Sequence, residues 1–96
     1  MHNFVISPEA RIDLFEIQDY IASDSKAAAS LVIDSIFSAC DELSKYPMMG
    51  HSRSDLTDKN VRFWSVYSYL IIYDAISKPI SIVRVLSGYR DIAAIL

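Results

Sequence analysis

Residues 61–86 read VRFWSVYSYLIIYDAISKPISIVRVL, and this stretch decides the fold. β-Branched and aromatic residues dominate it, which suits a pleated, half-buried surface. Three strand-like runs are predicted: Val61–Tyr67, Tyr69–Asp74 and Ile80–Leu86. A break near Ser68 separates the first two, and a turn at Ile76-Ser77-Lys78-Pro79 separates the last two. Leu70-Ile71-Ile72 and Ile82-Val83 are apolar on consecutive residues, so both faces of these strands are expected to be covered. Gly88 ends the third run. Residues 89–96 follow as a short tail with room for one helical turn.

The half of the chain before this stretch has a different period. Phe4-Val5-Ile6 is a short apolar run, predicted as a first strand over roughly residues 2–6. Ser7-Pro8-Glu9 then starts a helix: Ser7 as cap, Pro8 at the first helical position, Glu9 at the positive helix end. Ala10, Leu14, Ile17 and Ile21 recur at spacings of three and four, a helical stripe that predicts helix to about residue 23. Ser23-Asp24-Ser25 breaks the pattern and offers a second cap. Ala29, Val32, Ile33, Ile36, Cys40 and Leu43 form a second stripe, which must end by Tyr46 because the residue before Pro47 is pushed out of helical geometry. So short a link makes the two helices antiparallel neighbours. Residues 47–60, PMMGHSRSDLTDKN, read as an irregular connection. The predicted order is β-α-α-β-β-β: an α+β fold with a helical hairpin packed on one face of a small, mainly antiparallel sheet.

The chain of 96 residues suits a single domain, 1–96. Size scaling lets a chain of this mass bury about 65% of its unfolded surface, enough for one core. An apolar content of 52% against 22% charged residues excludes intrinsic disorder. One cysteine, Cys40, excludes an internal disulfide framework. No apolar run is long enough to span a membrane, and no basic segment followed by an apolar core marks a signal peptide. A cytoplasmic, soluble protein is the expectation. Net charge is −3, where nucleic-acid coating proteins carry a basic excess. Residues 1–50 hold three Lys/Arg against eight Asp/Glu, while residues 51–96 hold six against four. The acidic half is the helical hairpin. The basic half leaves room for one local cationic site.

Catalytic signatures are sparse. There is no Gly-rich phosphate loop, no Cys/His metal spacing, and no cofactor is implied. His2 and His51 are the only histidines, and nothing places a nucleophile beside either. Cys40 lies on the second apolar stripe and reads as a small buried hydrophobe. Glu9, Asp13, Glu16 and Asp19 read as a solvated helix face, and Tyr67, Tyr69 and Tyr73 as strand packing rather than platforms for bases. The arginines carry more. Arg62 and Arg84 fall inside strand patterns, and Arg90 lies just past the sheet beside Asp91. A cation inside an apolar strand must reach solvent, a carboxylate or an anionic partner. For Arg84 the choice is an ion pair with Asp74 or Asp91, or a partner-facing basic site.

At this point the residues carry a family resemblance. VRFWSVYSYLIIYDA followed by ISIVRVLSGYRDIAAIL resembles the second half of the RelE/ParE toxins of bacterial toxin–antitoxin pairs. FVISPEARIDLFEIQDYIA resembles their first strand and helix, and CDELSKYPMMGHSR their exit from the second helix. The match covers nearly the whole chain. RelE-like members are similar to small ribonucleases that cut messenger RNA on the ribosome with basic residues and a tyrosine. Here the position of their first key arginine, after Tyr69, is Leu70. Arg90 fits the second. The tail DIAAIL has no tyrosine, and the lysine-rich stretch is reduced to Lys59. RNA cleavage without histidine needs a cation for the phosphorane and a group to move the proton, so these gaps weigh against it.

The chain therefore resembles the ParE branch, through VRVLSGYRDI and PMMGHSR. That resemblance implies a toxin that inhibits DNA gyrase by binding, with no chemistry of its own and no direct sequence-specific DNA binding. It also implies a hetero-oligomer with a ParD-like antitoxin, whose helix would lie in a groove beside the sheet. Arg84, Arg90, Arg62 and Trp64 are the expected contact residues for target or antitoxin, with Phe63 and Tyr67 as further aromatic anchors. The alternatives are a RelE-like ribosome-dependent endoribonuclease, with Arg90 and Arg62 as its catalytic cations and Tyr89 or Tyr69 in an unusual role beside them, and an inactive member that only binds its antitoxin.

Overall fold

In the structure, a computed structural model, residues 3–96 are described. Strand β1 (Phe4–Ile6) leads into helices α1 (Pro8–Ala22) and α2 (Lys26–Lys45). A single 3-10 turn, Pro47–Met49, begins the long connection. Strands β2 (Arg62–Val66), β3 (Tyr69–Asp74) and β4 (Ile80–Ser87) follow, and then one helical turn, α3 (Ile92–Ile95). The order is the predicted one. The expected beginning of the first strand at residue 2, and His2, lie outside the described residues. No helix among them is long and apolar enough to cross a membrane.

Local chemistry places the helix boundaries. Ser7 Oγ accepts from Ala10 N at 3.0 Å, with Pro8 in the first turn, and Ser25 Oγ accepts from Ala28 N at 3.1 Å. Each cap satisfies an amide that the helix itself leaves unpaired. The second helix stops at Lys45, as Pro47 requires.

The sheet order is β1-β4-β3-β2. The last three strands are antiparallel neighbours, and β1 adds parallel to β4, Phe4 opposite Ile80 and Ile6 opposite Ile82. A register shift falls between Ile72 and Tyr73, which face Arg84 and Ile82, so Val83 is the extra residue of a bulge. The bulge changes the side-chain phase of β4. Ile80, Ile82 and Val85 all join the core under the helices, at spacings of two and then three.

Both sheet faces are covered, as the unbroken apolar runs predict. The larger cluster joins Ala10, Ile17, Ile36, Cys40 and Leu43 of the hairpin to Ile71, Tyr73, Ile82 and Val85 of the sheet. The opposite face is smaller: Phe63, Ile72, Leu86 and Ile92, flanked by Leu56, Val61, Ile95 and Leu96. Parts of the 47–60 connection and the C-terminal turn thus form a second thin layer. Cys40 is buried, and burial, with Asp41 nearby, pushes its thiol from 9.0 up to about 12. The folded state therefore holds the thiol proton that the unfolded chain releases above about pH 9, so stability falls as pH rises from about 9 towards 12. Denaturant midpoints across that range should fall less steeply for Cys40→Ala than for the unsubstituted chain.

Two local features matter below. Tyr73 is fully buried, and its hydroxyl donates to Pro47 O at 2.6 Å while accepting from Gly50 N at 2.9 Å. Burial raises its pKa, opposed by the Gly50 hydrogen bond. Tyr67, in the β2–β3 turn, has φ 55, a left-handed conformation costing a bulky L-residue about 1–2 kcal/mol. The Lys78–Pro79 bond is cis.

Candidate functional site

The site begins where β1 runs out. β1 ends at Ile6, so β4 beyond Ile82 has no strand on that side. Ser7 covers the first gap: its N–H donates to Ile82 O at 3.0 Å and its hydroxyl to Val83 O at 2.7 Å. Asp13 of α1 covers the next. Its Oδ2 accepts from Val85 N at 3.0 Å and from Arg84 Nε at 2.8 Å, and its Oδ1 accepts from Arg84 Nη2 at 2.9 Å. Asp13 is only 4% exposed. The carboxylate therefore satisfies an edge amide and a bidentate guanidinium together, the geometry in which a buried ion pair is held best. Hydrogen bonding to Asp13 holds the Arg84 guanidinium above its ordinary pKa.

This corrects two expectations. Asp13 is not part of a solvated face, and the ion-pair partner of Arg84 is neither Asp74 nor Asp91. Asp91 instead caps α3, accepting from Ala94 N at 3.3 Å. Arg84 welds α1 to β4.

Against this weld lies a groove of about 470 Å³, lined by Ile17, Tyr20, Tyr69, Val85, Tyr89 and Arg90, with Glu16 on its α1 side. Arg90 is exposed in the turn after β4, its backbone N–H donating to Ser87 O at 3.1 Å. Among the described residues no ion pair forms at Arg90. Burial raises the pKa of Tyr69, and the nearby Tyr20 phenol adds to it. A smaller cleft, lined by Glu9, Ile12, Asp13, Glu16, Arg84 and Arg90, continues along α1. Arg84 and Arg90 thus line one cleft.

Arg62 and Trp64 lie elsewhere, on β2 at the far edge of the sheet. Arg62 Nη1 donates to Gly50 O at 2.6 Å, so this cation pins the connection after α2. Trp64 is half-buried and stacks on His51, ring centroids 6.3 Å apart. Phe63 is only 3% exposed and cannot act as a surface anchor. Tyr67 is 62% exposed, so it is not the strand packing expected of it, while Tyr73 is buried and its hydroxyl is spent on Pro47 and Gly50.

Sequence reasoning missed Tyr20, placed Asp13 on the solvated face, and weighed Tyr89 only in the ribonuclease alternative. For Asp13 the signal was present: it stands three residues after Ala10 and four before Ile17, both buried, and so falls on the inward stripe. The tyrosines carried no periodic signal. Chemically the groove offers phenols, one exposed guanidinium and carboxylates. No histidine lines it, and Arg84, which lines the adjoining cleft, is already occupied by Asp13.

Known proteins place the chain first at the level of fold. It is similar in structure to a chain of the chromosomal ParDE TA system from P. aeruginosa, with TM-score 0.73 and 20% identity, covering 91% of this chain and 96% of that one. No curated protein matches it significantly by sequence. Residues 4–92 match the family described as ParE toxin of type II toxin-antitoxin system, parDE. The chain belongs to that family.

Proposed function

We propose that this ParE-family toxin, residues 1–96 acting as one domain in the bacterial cytoplasm, inhibits DNA gyrase by binding it and is neutralised by a cognate ParD-like antitoxin in a hetero-oligomer. The observation that carries the reading is the commitment of Arg84 to Asp13. With that cation held inside the fold, Arg90 is left as the groove's one available guanidinium, in a lining that also holds Glu16 and no histidine. That set supports recognition of a protein rather than phosphodiester cleavage, which needs both charge stabilisation and proton transfer. The carboxylates of α1 also oppose a polyanion.

The antitoxin has a separate place. A groove on the hairpin, lined by Ile6, Leu14, Phe15, Ile33 and Phe37, suits the apolar face of a helix. Phe15, which lines it, is 62% exposed.

The test is a gyrase supercoiling and DNA-cleavage assay with the purified toxin. Loss of supercoiling with trapped cleaved DNA, reversed by antitoxin, is the expected result. Folded protein that leaves gyrase untouched at large excess, but cuts mRNA in cell-free translation, would move the assignment to the ribosome. Inertness in both assays would leave an antitoxin-binding protein only.

A further inference from the structure

We infer that the tyrosine-rich end of the sheet, centred on Tyr67, is the face that meets the toxin's target, and that it takes a carboxylate-bearing protein segment. The inference rests on the proposed reading of a toxin that acts by binding.

Tyr67 is the one non-glycine residue with positive φ among those described. Glycine or asparagine sits there with little strain, whereas an aromatic residue does not. The ring recovers little from burial, being 62% exposed. The fold thus holds a large exposed aromatic side chain where the backbone disfavours one, and such outliers concentrate at binding and switch sites.

Its neighbours are of the same kind. A cleft of about 320 Å³ is lined by Tyr67, Tyr69, Leu70 and Tyr89. It adjoins the larger groove, sharing Ser68, Tyr69 and Tyr89 with it, and that groove adds Tyr20 and Arg90. Tyr89 is 91% and Tyr20 78% exposed. Tyrosine and arginine are the side chains that most often dominate protein-interface energy, because they offer large contact area with few rotatable bonds and a polar end.

Charge selects the occupant. Arg90 has no carboxylate partner among the described residues, so an incoming carboxylate completes it. Glu9, Asp13 and Glu16 line the cleft along α1 beside Arg84 and Arg90, which disfavours a polyanion such as a chain of phosphates and limits the occupant to one that brings a single carboxylate to Arg90. None of the tyrosines lines the hairpin groove assigned to the antitoxin.

Tyr67→Gly and Tyr67→Asn test this, each examined for thermal midpoint, antitoxin affinity, gyrase inhibition and growth arrest on induction without antitoxin. The expected result is an unchanged or higher midpoint, unchanged antitoxin affinity, and at least about tenfold weaker inhibition with loss of growth arrest. Variants that inhibit and arrest growth like the unsubstituted toxin would overturn the inference while leaving the gyrase reading intact. If the unsubstituted toxin arrests growth without touching gyrase, the gyrase reading fails alone, and growth arrest still decides Tyr67. Loss of antitoxin affinity in the variants, DNA binding that depends on Tyr67, or an unsubstituted toxin with no growth effect would each overturn it as well.

Discussion

Arg84→Ala is expected to lower stability by about 3 kcal/mol, and Asp13→Ala by a similar amount, because each leaves the partner without its counter-charge at a largely buried place. The low end of the range for a broken buried pair applies, since the Arg84 side chain is 23% exposed while Asp13 is 4% exposed. Arg84→Ala strands a carboxylate that then keeps only the Val85 amide. Asp13→Ala strands both that amide and the guanidinium. For a domain of this size the thermal midpoint should fall by about 12–24 °C. Arg84→Lys should not restore it, because an ammonium cannot reproduce the paired Nε and Nη2 bonds. Replacing both residues by apolar ones of similar volume should recover much of the loss. The measurement is denaturant unfolding of the singles and the double, read as a cycle. Full stability in Arg84→Ala, with toxicity lost, would return this arginine to the partner-facing surface.

The second large effect is expected at Gly50. Its φ of −73 and ψ of 174 suit any residue, so the glycine answers to space alone. A methyl group there would stand 2.5 Å from the Tyr73 hydroxyl, 2.8 Å from its ring and 3.0 Å from Phe63 O. None of these atoms gives way cheaply: the ring is fully buried, and its hydroxyl is held by Pro47 and Gly50. Gly50→Ala should therefore cost about 2–3 kcal/mol, from overpacking plus the lost hydrogen bond. Tyr73→Phe should cost about 1–3 kcal/mol by leaving a buried amide and carbonyl unpaired. The double substitution should cost less than the two singles together, since removing the hydroxyl also removes the closest clash. Strictly additive losses would show that the two groups are not coupled.

Much of the fold was legible because its signals are local. Ser7-Pro8 and Ser25 announce helix starts, Pro47 a stop, and alternating helical spacings the buried stripes; the structure follows each within a residue or two. The strands were legible from β-branched runs, Tyr69–Asp74 to the residue. The parallel addition of β1 to β4 had no local signal, because the pairing partners are separated by the whole hairpin and two further strands. The site was harder for the same reason. Arg84 advertised a need for a partner, but Asp13 lies 71 positions away and its polarity suggested solvent. Periodicity would have placed it inward; reading its charge first hid that. The turn at Ser68 was visible, yet which of its residues takes the left-handed conformation is decided by the twist of the strands around it, and that residue is Tyr67.

The parallel pairing of Phe4–Ile6 with Ile80–Ile82 also sets a timetable. The helical hairpin and the β2–β3–β4 meander each close over short loops, so each can gather before the other is complete. β1 joins through β4 alone, and Ser7 must find Val83 across 76 positions. A joint of such long sequence separation is expected to set late. Because the Asp13 weld spans that same joint, the groove is expected to acquire its shape late in assembly, and a chain halted short of that step would hold most of its sheet without the finished groove.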